Sequence, residues 1–139
     1  MKTTIRWLMA LAFAFCLSAV ASPRDLTGQW DLKIEDKGHH VVTALVIQFT
    51  DQRAPSCIGG NWLRVNVMSS TTDDAHFFPV SDPLSYSVDG NQIIIGRNEI
   101  CDAYLELRGP LNAEAIRGEY ISFGWGSTPL GFFALSRKK

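Results

Sequence analysis

Alternation with a period of two is the dominant pattern along this chain. In the stretch from Leu26 to Glu35, Trp30, Leu32 and Ile34 share one side, while Gln29, Asp31, Lys33 and Glu35 share the other. That pattern predicts a strand with one dry and one wet face. Asp36-Lys37-Gly38 predicts a turn, and 41–49 a β-branched, mostly apolar strand running back. Further strands are predicted over 61–68, 75–80, 84–88, 92–96, 103–108, 115–123 and 130–137. Asp89-Gly90 between two apolar runs is a hairpin signal, and Gly109-Pro110 and 124–129 mark later turns. The polar stretch Ser69-Ser70-Thr71-Thr72-Asp73-Asp74 reads as a loop. Helical periodicity is absent after residue 21. About eight or nine short strands with short connections predict an all-β fold, a meandering antiparallel barrel or sandwich. Closure would also remove exposed strand edges.

The first 21 residues break the alternation. Met1 to Arg6 carries two basic groups and no acid, and Trp7 to Val20 is apolar apart from Ser18. Ala19-Val20-Ala21 then supplies a small-x-small cleavage pattern. These features predict a signal peptide over 1–21, a single domain over 22–139, and a periplasmic or secreted location. Bulky Phe15 before Cys16 argues against lipidation. Cleavage would leave a protein not embedded in a membrane.

Composition sharpens this reading. An apolar content of 46% with a net charge of −1 argues against intrinsic disorder. The absence of a basic excess argues against nucleic acid as a partner. Removing the leader takes two of the 13 basic residues, none of the 14 acidic ones, and one of the three cysteines. The remaining Cys57 and Cys101 form an even pair in an exported domain, which predicts a disulfide; two free thiols are the alternative. By loop-closure entropy such a bridge contributes about 4 kcal/mol.

The opening Leu26-Thr27-Gly28-Gln29-Trp30 resembles the Gly-x-Trp first strand of the calycin-type barrels, lipocalins and avidins, in which the Trp packs across one barrel end. It is also similar to the Leu-x-Gly-x-Trp start of the small periplasmic metalloprotease inhibitors, compact disulfide-bonded barrels. The resemblance implies a small barrel and a binding role. It spans five to ten residues, and the other lipocalin motifs and an avidin-like biotin site are missing.

Catalytic chemistry finds little support. A Gly-x-Ser-x-Gly elbow is lacking, and Gly124-Trp125-Gly126-Ser127 reads as a turn. His39, His40 and His76 show no metal-ligand spacing, so no metal or cofactor is expected. Glu106 and Glu119 with Arg108 and Arg117 read as opposite-charge neighbours on a wet face rather than a catalytic pair.

Aromatic residues carry the remaining signal. Trp62 keeps the phase of Arg64 and Asn66, opposite to Leu63, Val65 and Val67. Phe77, Phe78 and Trp125 fall at predicted strand ends or turns, where aromatics either plug a barrel or contact partners. Trp62, Arg64, Phe77, Phe78 and Trp125 are therefore the candidate binding residues. The expected function is non-catalytic binding of a partner protein or a small apolar ligand. Inhibition of a secreted or envelope hydrolase is one concrete form, with Ser22-Pro23-Arg24-Asp25 as a projecting arm. A lipocalin-like carrier is the second reading and a small hydrolase the third.

Overall fold

The computed structural model describes residues 25–112 and 115–139, so the expected leader, 1–21, lies outside the described residues. Eight strands form in chain order: β1 (Gln29–Asp36), β2 (Val41–Arg53), β3 (Leu63–Thr72), β4 (Leu84–Asp89), β5 (Gln92–Gly96), β6 (Tyr104–Pro110), β7 (Ala115–Phe123) and β8 (Ser127–Arg137). Each pairs antiparallel with the next, and β8 returns to β1, giving a closed meandering barrel. This is the fold that the alternation predicts.

The inward phase of each strand supplies the core. Trp30, Leu32, Ile34, Ile47, Ile93, Ile95, Leu107 and Ile116 are fully buried, with Phe49, Leu84, Tyr120, Phe133 and Leu135 packed among them. Large side chains thus fill the interior, as small barrels require. Where the wall is tightest, glycine is needed. A Cβ on Gly118 would lie 2.0 Å from the Arg108 carbonyl oxygen and 2.6 Å from the Phe133 ring. Gly118→Ala must therefore push β6 and β7 apart, with an expected cost of about 2 kcal/mol in chemical denaturation. An unchanged midpoint would show that the wall yields freely.

Two segments depart from the sequence reading. The predicted strand over 75–80 is instead a series of turns, which reduces the count to eight. Asp74 starts the turns: its Oδ1 accepts the His76 amide at 2.8 Å and its carbonyl accepts that of Phe77 at 3.2 Å. The turn delivers Phe78 into the core, 1% exposed, where it meets Tyr120 edge-to-face. Burying an aromatic at the barrel end outweighs the local β propensity here. Conversely, residues 69–72 of the expected loop 69–74 are the final part of β3. The 13-residue β2 offers a template along its whole length, and Thr72 pairs with Thr43, their hydroxyls 2.9 Å apart.

A strap runs outside the wall. Loop 54–62 and loop 97–103 are joined by the Cys57–Cys101 disulfide, with Cα atoms 5.5 Å apart. The Cys57 amide donates to the Asn98 carbonyl at 3.0 Å, and Arg64 pairs with Glu99 at 3.0 Å. The Asn98 amide lies over Gly96, in the space a Cβ would take. Ser85 and Glu106 flank Gly96 in register. All of Ser85, Asn98 and Glu106 are buried although their phase points outward. Glu106 is thus not on a wet face as predicted. Covered and 1% exposed, it is held by Arg108, whose Nε donates at 2.7 Å. Arg108 does stand opposite Glu119, as expected of surface neighbours.

Candidate functional site

Strand direction sorts the connections between two barrel ends. One end gathers the segment before β1, loop 54–62, the Gly90-Asn91 turn and the residues after β6. The other gathers the 37–40 hairpin, turns 73–83, loop 97–103 and the Gly124-Trp125-Gly126 turn.

The first end opens into a cleft of about 1620 Å³. Phe49 and Tyr86 line its floor, their ring centroids 4.8 Å apart, and the fully buried Trp30 backs Phe49 edge-to-face at 6.0 Å. Such contacts fix ring orientation and add to burial. The Tyr86 hydroxyl donates to the Thr50 carbonyl at 2.9 Å, locking the end of β2 to β4. Around the floor stand Gln48, Asp51, Arg53, Asn61 and Asn66, with Leu63, Val88 and Leu111 between. Arg53 donates to Asn61 Oδ1 at 3.2 Å. The arrangement is an apolar base inside a polar rim carrying both charge signs, the make-up of many ligand and partner sites.

The chain before β1 forms one margin of this cleft. Trp30 is fully buried near the barrel end, as the Gly-x-Trp resemblance implied, and its indole donates to the Leu26 carbonyl at 3.1 Å. Arg137, at the end of β8, stacks over the Trp30 ring at 4.7 Å and donates to the Thr27 and Asp25 carbonyls at 2.5 and 2.7 Å. Hydrogen bonds from the Thr27 hydroxyl and then its amide hold the Asp25 carboxyl below its ordinary range. Asp25 to Thr27 are therefore fixed against the rim.

The sequence-selected residues are spread over the barrel. Trp62 keeps its outward phase, away from the core, yet is 6% exposed, because its own loop folds over it and Gly59 accepts its indole N–H at 2.6 Å. It lines the cleft. Arg64 stands on the outer wall, held by Glu99. Phe77 and Phe78 come together at the opposite end, both edge-to-face on Tyr120, whose hydroxyl donates to the Phe77 carbonyl. Trp125 projects fully into solvent at the tip of its turn at that same end. Gln48, Asp51, Arg53 and Tyr86 were not selected from sequence. The only hint was the polar end of the long second strand.

The buried phenols give a pH signature. Desolvation pushes the Tyr120 hydroxyl well above the ordinary phenol value of 10.0, and burial with the nearby Asp51 charge raises Tyr86. A raised folded-state pKa means that the stability contribution is complete below pH 10.0 and is lost as pH climbs through the higher folded value. Alkaline unfolding followed by circular dichroism should shift to higher pH in Tyr120→Phe. An unshifted profile would show that Tyr120 does not drive it.

Histidines show no convergence. His39 stacks on Phe132 and its Nδ1 lies 3.1 Å from Glu35, while His40 faces Asp36 at 3.3 Å. Among the described residues no group of three or more His, Cys, Asp or Glu side chains is placed to share a metal ion. Among the same residues no helix is long and apolar enough to cross a membrane. Comparison with family models, characterised proteins and solved structures finds no significant match, so the fold and the cleft stand as the functional evidence for this chain.

Proposed function

We propose that this is an exported, non-catalytic binding protein, periplasmic or secreted, that engages a partner protein at the open barrel mouth. The observation that carries this reading is the mouth itself: a wide, polar-rimmed cleft with a rigid aromatic floor, above an interior filled by its own side chains. A filled interior leaves binding to the rim, and rigid aromatic anchors are what protein interfaces exploit. Inhibition of a secreted or envelope hydrolase is the concrete form we favour. Arg137 fixes Asp25 and Thr27 at the cleft margin, which puts Asp25, the last residue of the proposed arm Ser22-Pro23-Arg24-Asp25, beside the mouth; Ser22 to Arg24 lie outside the described residues.

A carrier of a small apolar ligand is the second reading, supported by Phe49 and Tyr86 on the floor, with Trp30 packed behind Phe49. Titrating the protein against a panel of secreted proteases and glycoside hydrolases distinguishes the two. The expected result is stoichiometric loss of activity in one class, weakened about tenfold or more by Arg53→Glu. Full activity across the panel, with a small molecule retained in the native mass spectrum, would instead establish the carrier. Neither result would refute binding at the mouth.

A further inference from the structure

Barrel closure is uneven around the ring. β3 pairs with β2 along its length, but with β4 only through Leu63, Arg64 and Val65. Beyond Val65 the two part like a fork, leaving a groove of about 490 Å³ between Arg64–Met68 and Val80–Leu84. From 66 to 72 the side of β3 that faces away from β2 has no strand partner among the described residues. Its amides and carbonyls therefore offer a template for another extended segment.

The side chains along this edge say what fits it. From Val65 to Thr72 the edge carries no charge and no proline, two of the devices that block edge pairing, and its bulge at Met68 would fall at the centre of a symmetric pair. Arg64 stands at one end and Asp73 and Asp74 at the other. A segment running antiparallel along the edge must therefore bring an acid to Arg64 and a base to Asp73. The edge of a second copy does both. Placing Arg64 of each copy beside Asp73 of the other centres the two-fold axis near Met68 and Ser69. Met68 stands at the irregularity in the β2–β3 register and is 53% exposed. The same placement brings the two Met68 side chains together, an apolar centre between charged ends.

We propose that the open edge of β3 from 66 to 72 is the interface of a symmetric dimer, in which the β3 strands of two copies pair antiparallel with Arg64 of each beside Asp73 of the other. This surface lies on the barrel wall and does not depend on the role of the mouth. A two-fold operator makes every contact occur twice, so one reversed charge acts at both ends.

Sedimentation equilibrium of the disulfide-intact protein tests the assignment. The wild type is expected to dimerise, with amide exchange over 66–72 slowing as concentration rises. Arg64→Glu and Asp73→Arg should each weaken association about tenfold or more, by replacing two attractive contacts with two repulsive ones. An equal mixture of the two variants should regain wild-type association, because each mixed dimer pairs Glu with Arg and Arg with Asp. That recovery also separates the interface from the loss of the internal Arg64–Glu99 pair, which the mixture does not restore. A wild type that stays monomeric, a dimer indifferent to both variants, or a mixture no stronger than either variant alone would overturn the proposal. Near-ultraviolet circular dichroism of each variant confirms that folded chains are compared.

Discussion

Replacing Cys57 and Cys101 by serine is expected to lower the stability of the barrel by about 4 kcal/mol. The bridge closes a loop of 44 residues, and its removal returns that loop's conformational freedom to the unfolded chain. Against a typical domain stability of about 5–15 kcal/mol, the loss is a large fraction. In a thermal melt it corresponds to a drop on the order of 15 °C. The native state changes as well. The strap places Asn98 over Gly96, and without the bridge its links to the wall and between its loops include the Arg64–Glu99 and Arg97–Asp82 pairs and the backbone bonds Cys57–Asn98 and Arg97–Leu105. Single ion pairs of this kind, partly open to solvent, hold loops less firmly than a covalent bridge. Amide exchange over 97–103 should therefore accelerate more than exchange in β1 or β8. A loss below about 1 kcal/mol would show that the strap holds without its sulfur bridge.

Trp30→Ala is the second large effect, with an expected cost of about 4 kcal/mol in urea denaturation. The indole is fully buried, meets Phe49 edge-to-face, and lies beneath the Arg137 guanidinium. Truncation removes the ring and leaves a cavity at the base of the mouth. It also removes the indole N–H that the Leu26 carbonyl accepts and the ring face on which Arg137 rests. Trp30→Phe retains most of the volume but loses the donor and weakens the cation contact, so roughly half the cost is expected. Both variants should speed amide exchange at Thr27, since Arg137 is then less firmly placed. If Trp30→Ala cost less than about 2 kcal/mol, the mouth would not be built on this residue.

The barrel was legible because its strands carry their own instructions. Trp30-Asp31-Leu32-Lys33-Ile34 states which side is dry, and Asp89-Gly90 states where a hairpin turns. The disulfide followed from two cysteines remaining after the expected leader. What could not be read was anything set by segments distant in sequence. Glu106 sits in an alternating strand and looks solvated, yet it is 1% exposed and held by Arg108. Trp62 was correctly phased, but nothing local shows that Gly59 and Gly60 fold over it. The run at 75–80 looked like a strand because Phe77 and Phe78 have high β propensity, while the tertiary structure uses them to plug an end. Asp51 and Arg53 read as the start of a loop over 51–60, whereas they are the end of β2. They become a rim only when the ends of β2, β3 and β4 and the chain before β1 are assembled.

The pairing of β1 with β8 has a further consequence, for the order of assembly. Every other contact in the ring joins strands adjacent in sequence, so hairpins can form one after another as the chain becomes available. β1 alone must wait for a partner about a hundred residues later. Until β8 arrives, the growing sheet has two raw edges, and Trp30 lacks the Arg137 lid that settles it. A chain ending before β8 would thus leave the edges of β1 and β7 unpaired and the ring open, a template for other extended chains.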